Sequence, residues 1–202
     1  MSFSSETKIA LAREIPERGC CRLSMLSGML LFSAEKDGTL LLQTEVRQVA
    51  GAWEALLARC TETEVCIRKS GGLYKTRLSA QAVRERMPAL FSGKSIRTLF
   101  ACAGCGAAFF RGAFLASGFV NPPEKPARLE LSTPDADLAC DAAATLTSHF
   151  RLPKLSVRRG KQILYYRDAE SVEYFLSYIG ANKAAFDIIN AQMLKEKRSE
   201  IN

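Results

Sequence analysis

From Cys20 to Ser33 the chain is apolar at nearly every position, with the small residues Ser24, Ser27 and Gly28 set along it. That pattern predicts a helix buried on most of its sides. The pattern occurs twice. Leu26–Ala34 returns as Phe110–Gly118, with Gly in the third place (Gly28, Gly112) and Ser in the eighth (Ser33, Ser117) of each copy. The segments after each copy repeat in the same order. Strands are predicted over Thr39–Thr44 and Arg128–Ser132. Amphipathic helices come after them over Val46–Arg59, with Val46, Val49, Ala50, Trp53, Leu56 and Leu57 on one face, and over Asp135–Phe150. Trp53 is therefore read as core. Two hairpins come next: Glu64–Lys69 with Tyr74–Leu78, turned at Ser70-Gly71-Gly72, and Lys154–Arg158 with Gln162–Arg167, turned at Arg159-Gly160. Helices over Ala80–Leu90 and Ala169–Ile179 close the two units.

Residues 1–17 read as a leading helix capped at Ser4 or Ser5, and Ala184–Ile201 as a trailing one. Leu40 matches Leu129 at an offset of 89, and Val65 matches Leu155 and Arg77 matches Arg167 at 90. The glycines are only 84 apart, which leaves Asn121–Pro126 as an extra loop in the second copy. The expected fold is α+β and duplicated about a pseudo-two-fold axis. Each half runs helix-strand-helix-strand-strand-helix, with antiparallel sheets. The halves span 18–95 and 100–180 of one domain, 1–180, and residues 181–202 form a further helix.

The 202 residues are 48% hydrophobic and 24% charged, enough to bury a core without disulfides. No run is long and apolar enough for a bilayer, and no secretory layout opens the chain. The expectation is a cytoplasmic protein with no membrane partner. The seven cysteines are then reduced thiols. Cys60, Cys66 and Cys140 stand among apolar residues and read as core. Cys20-Cys21 and Cys102-x-x-Cys105 each precede one copy of the repeat, so parallel packing of the repeat helices would let four sulfurs approach. Zinc is the sharper reading of that arrangement. Adjacent cysteines and the lack of a second Cys-x-x-Cys weigh against it, and neither a metal nor another cofactor is expected.

The net charge of +7 is concentrated on the two hairpins. Arg68, Lys69, Lys75 and Arg77 lie on the first. Arg158, Arg159, Lys161 and Arg167 lie on the second, with Lys154 and no acid between them. Lys and Arg also guard exposed sheet edges, but their presence on both copies favours a polyanion surface, and these eight are the candidate DNA contacts. His149 is the only histidine, placed at the end of an amphipathic helix, and reads as a surface or half-buried residue rather than a base. No phosphate-binding glycine loop is present.

The two repeated helices resemble the motifs of LAGLIDADG homing endonucleases. More of the chain is similar to the WhiA family. The residues that carry this are Ser2-Phe3-Ser4-Ser5-Glu6-x-Lys8, Cys20-Cys21, Arg111-Gly112-Ala113-Phe114-Leu115-Ala116-x-Gly118 and Tyr178-Ile179-Gly180-Ala181. The resemblance implies that the motif helices pack at the dyad through Gly28 and Gly112, and that the sheets grip double-stranded DNA. It also implies a transcriptional regulator of sporulation and cell division, associated with the nucleoid and open to a second regulatory protein as partner. Residues 181–202 would then be a linker helix toward a helix-turn-helix module that this chain is expected to lack. In the endonucleases each motif ends in an acid that holds a divalent metal. Here those positions are Ser33 and Ser117, and a neutral hydroxyl cannot supply the charge such an ion requires. No catalytic residue and no enzymatic activity are expected. A protein-interaction scaffold without DNA binding of its own is the alternative function, with a residual nuclease behind it.

Overall fold

The computed structural model describes residues 1–61 and 66–201. Helix α1 (Phe3–Arg13) leads. The first half then runs α2 (Gly19–Leu31), β1 (Ala34–Lys36), β2 (Thr39–Thr44), α3 (Arg47–Thr61), β3 (Arg68–Ser70), β4 (Leu73–Ser79) and α4 (Ala80–Arg86). Two short 3-10 turns over 88–99 lead to the second half. That half comprises α5 (Ala103–Ser117), β5 (Phe119–Val120), β6 (Leu129–Thr133), α6 (Ala136–Thr147), β7 (Lys154–Arg158), β8 (Lys161–Tyr166) and α7 (Ala169–Tyr178), and α8 (Asn182–Ile201) trails. Each half holds one antiparallel four-stranded sheet, ordered β1-β2-β4-β3 and β5-β6-β8-β7. The α+β duplication is as the sequence predicts.

Helices α2 and α5 pack side by side at the centre, and their crossing is reciprocal. A Cβ on Gly28 would stand 2.0 Å from the Phe109 carbonyl oxygen and 2.9 Å from the Ala113 nitrogen. One on Gly112 would stand 2.0 Å from the Met25 oxygen and 3.0 Å from the Met29 nitrogen. Shifting the first contact by 84 residues gives the second, as a pseudo-two-fold axis requires. The backbones touch, so only a residue without a side chain fits at either place. Around this seam Met25, Leu26, Phe109, Phe110 and Phe114 are fully buried, and so is Trp53 on α3.

Four details differ from the sequence-level expectation. Strands β1 and β5 are additional to it; three and two residues are too short to show a period. The cap of α1 is Ser2, whose Oγ accepts the Ser5 N–H at 3.2 Å, rather than Ser4 or Ser5. Helix α4 stops at Arg86 because Pro88 cannot continue it. Cys66 and Cys140 are exposed rather than core, and Cys140 falls on the face of α6 opposite Leu138, Ala142 and Leu146. The Glu64–Val65 end of the first hairpin strand lies outside the described residues, as does Asn202.

Both basic hairpins turn on two residues with positive φ. Gly71 and Gly72 have φ of 57° and 78°, Arg159 and Gly160 of 51° and 72°. These are the twisted two-residue turns that suit a hairpin. They align the two hairpins at an offset of 88, not 90. Arg77 is therefore level with Tyr165 rather than with Arg167, because the loops outside the hairpins differ in length.

Candidate nucleic-acid interface

Alternation along each strand sorts the basic residues by face. On β4 the buried Thr76 and Leu78 mark the side packed on the helices. Lys75 and Arg77 point the other way, and Arg68, paired with Lys75, joins them. These three side chains line one shallow outer surface with Ser70. Lys69 does not share it. It pairs with Tyr74 on the opposite face, with its Nζ 5.5 Å from the Tyr74 ring centre. Of the four candidates on the first hairpin, the fold thus brings three together.

On the second sheet Arg158, Arg159 and Lys161 line the outer surface, beside Glu130 and Ser132 of β6 and Arg128 just before it. Arg167 follows β8 and lies over the Tyr165 ring at 5.0 Å. Glu130 changes the electrostatics of this face. It is buried at 7% exposure, takes Arg158 Nη2 at 2.7 Å on one oxygen, and binds the Arg128 guanidinium through the other. Burial alone would raise the Glu130 carboxyl, yet hydrogen bonds and charge from Arg128 and Arg158 hold it below the usual carboxylate range. Arg158 is therefore not a free cation. The sum over the hairpin missed this, because the neutralising acid comes from a strand 28 residues earlier. The alternation Arg128, Glu130, Ser132 leading into and along β6 was the available signal.

The outer faces meet at the C-terminal ends of α2 and α5. A cavity of about 510 Å³ opens there, lined from both halves by Lys8, Ser33, Gln43, Ser117, Ser132 and Lys161, among others. Ser33 Oγ donates to the carbonyl oxygens of Met29 and Leu30, both at 2.9 Å. Ser117 Oγ is 3.4 Å from the Ala113 oxygen and accepts the Ser132 N–H at 3.2 Å. Neither hydroxyl carries charge, and both are engaged within the fold. Glu35, the nearest acid after the first motif, is held by Arg84 at 2.8 Å. Among the described residues, the one carboxylate lining the cavity is Glu45. A hard divalent cation takes several oxygen ligands with carboxylates among them, so these residues do not fit the metal of a LAGLIDADG nuclease. The cavity instead holds an amine: burial pulls Lys8 down to about 8, with Glu45 opposing. Elsewhere, His149 is exposed and lies against the Tyr178 ring, as a surface residue would.

Residues 106–198 match the WhiA LAGLIDADG-like domain. Over its whole length the chain is 31% identical to a protein of Heliobacterium modesticaldum named "Probable cell division protein WhiA" and covers 70% of it. It is 32% identical to the protein of that name from Desulforamulus reducens, again over all of this chain and 70% of the relative. Among solved structures, full-length DUF199/WhiA from Thermatoga maritima superposes with a TM-score of 0.77 at 17% identity, over 96% of this chain and 67% of that one. The homing endonuclease I-DmoI, solved with DNA and Mn, superposes at 0.58 and 14% identity, over 80% and 97%. No helix among the described residues is long and apolar enough to cross a membrane. The superpositions give the chain the LAGLIDADG fold, and by sequence it belongs to the WhiA family.

Proposed function

We propose that the chain is a non-catalytic, DNA-binding regulator of the WhiA type, acting in cell division and sporulation at the nucleoid, and that it meets double-stranded DNA with the outer faces of its two sheets. One observation carries this reading: Arg68, Lys75 and Arg77 on one face, and Arg159 and Lys161 on the other, flank a cavity in which serines stand where a nuclease needs carboxylates. Contacts of this kind go to phosphates and orient a protein on the duplex without reading much sequence. Arg167 adds to the second face from its end, while Lys69 and Arg158 contribute less.

Fluorescence anisotropy of a labelled duplex at rising salt tests the proposal. About four phosphate contacts give a slope of about −3.6 in log K against log salt. A flat dependence would overturn it. Plasmid incubated with magnesium or manganese is expected to remain uncut. The alternative, a protein-interaction scaffold, has one observation in its favour: Leu152, Leu155 and Val157 are exposed on or beside the edge strand β7. A stable protein partner recovered together with no DNA retardation would favour that reading.

A further inference from the structure

The other end of the dyad helices carries a different chemistry. Cys20 and Cys21 lie in the first turn of α2, Cys102 caps α5, and Cys105 lies in the first turn of α5. Cys102 Sγ stands 3.7 Å from Cys20, 3.5 Å from Cys21 and 3.6 Å from Cys105. All four sulfurs fall within 4.8 Å of one another. A disulfide would bring two of them to about 2.05 Å, so these are four separate thiols. Around a tetrahedral zinc with Zn–S of about 2.3 Å, the sulfurs stand about 3.8 Å apart. The spacing seen here is close to that edge length.

We propose that Cys20, Cys21, Cys102 and Cys105 bind one zinc ion in a closed structural site that clamps the N-terminal ends of the two dyad helices. This departs from the sequence-level expectation of no metal. The objections there were the adjacent cysteines and the lack of a second Cys-x-x-Cys, and the fold answers both by bringing the Cys20 and Cys21 sulfurs together with those of Cys102 and Cys105. Cys21 and Cys105 are 84 apart, the offset of the crossing glycines, so the dyad itself relates them. Cys20 maps by the same offset onto Gly104, where a Cβ would lie in ordinary contact with the sulfurs of Cys21 and Cys102, at 3.4 and 3.9 Å, so the position borders the cluster without supplying a ligand.

Two helix N-termini point at the sulfurs, and their dipoles offset the negative charge of a zinc tetrathiolate. A coordinated cation deprotonates all four thiols. Cys21 and Cys105 are buried and Cys20 and Cys102 half-buried, so an ion can reach the site from solvent. Ten residues of helix carry α2 from Cys21 to its end at Leu31, about 15 Å at the α-helical rise, with Ser33 beyond. The site therefore holds the halves together and takes no part in contacts at the DNA-facing end.

The test uses the whole 202-residue chain, free of metal-binding tags and purified under reducing conditions. Elemental analysis should find one zinc per chain. Cobalt added to the stripped protein should give the intense visible and near-ultraviolet absorption of a tetrahedral thiolate site, and zinc should bleach it. Cys102→Ser and Cys20→Ser should each weaken zinc binding by more than about 100-fold, above the range for losing an outer-shell partner. Cys66→Ser and Cys140→Ser, at exposed thiols outside the cluster, should bind as the parent does. Circular dichroism of each variant separates a lost ligand from a lost fold. Should Cys102→Ser fail to fold, Cys20→Ser at the half-buried edge answers the same question. A stripped chain that stays folded yet takes up neither zinc nor cobalt would overturn the proposal. So would unchanged affinity in a folded Cys20→Ser, or an intact mass showing the four cysteines already paired as disulfides in fresh lysate.

Discussion

At the centre of the first sheet's outer face Leu41 pairs with Ala34 and Arg77; at the equivalent place in the second sheet Glu130 pairs with Phe119 and Tyr165. Among the described residues, no acid pairs with Arg68, Lys75 or Arg77 at the middle of the first face. The second puts an acid there, bound by two arginines, and carries its remaining basic groups at the turn and at the far end. Duplication has preserved the backbone down to the φ angles of the hairpin turns while the charge pattern has diverged. Equal shape and unequal charge suit a protein that grips a duplex asymmetrically, and the two properties can be perturbed separately.

The largest expected effect tests the shape. Gly28→Ala and Gly112→Ala each force a methyl group into a carbonyl oxygen, in backbone that cannot yield as a flexible side chain would. Each should cost at least about 3 kcal/mol in urea unfolding. The two costs should agree within about 1 kcal/mol, because the contact is reciprocal; a large difference would break the equivalence of the halves.

The next effect belongs to the second sheet alone. Glu130→Gln should cost about 1–2 kcal/mol at pH 7, a value reduced from that of a fully buried pair because both arginine partners are partly exposed. The Glu130 carboxyl is lowered in the fold. Its contribution is therefore present above the ordinary carboxylate value of about 4.3 and is lost as pH falls through the lower, folded value. Urea midpoints of parent and variant should converge in acid. The same change frees two guanidinium groups and should raise DNA affinity severalfold.

On the first sheet, Lys75→Ala with Arg77→Ala should lower DNA affinity about tenfold and reduce the salt slope by about 2. Arg158→Ala on the second should lower affinity less than about threefold, since Glu130 already neutralises much of that charge. Equal losses would erase the contrast. The smallest effect is at the motif ends. Ser33→Ala removes only the hydroxyl's local bonds back to the Met29 and Leu30 carbonyls of α2 and should leave stability within about 0.5 kcal/mol. Ser117→Ala strands the Ser132 N–H and should cost about 1 kcal/mol.

The duplicated helices were legible because their requirement is local and strict: a small residue where backbones meet, within a segment apolar on all sides. The amphipathic helix α3 and its core Trp53 were legible from periodicity alone. The basic surface was legible only as a property of the hairpins. Which face Lys69 took depended on its pairing with Tyr74, and the neutralisation of Arg158 depended on Glu130 two elements earlier. Contiguous stretches of sequence do not reveal cross-strand partners. The four thiols were visible as pairs, but their meeting needed the parallel packing of two helices 84 residues apart.

That packing has a consequence for how the chain assembles. Because α2 finishes its surface only against α5, each half resembles one subunit of a dimer whose mate happens to be attached. The short stretch between the halves then acts as a tether. It fixes the stoichiometry and replaces a bimolecular encounter with a high local concentration, which leaves each copy free to diverge without having to match a second identical partner.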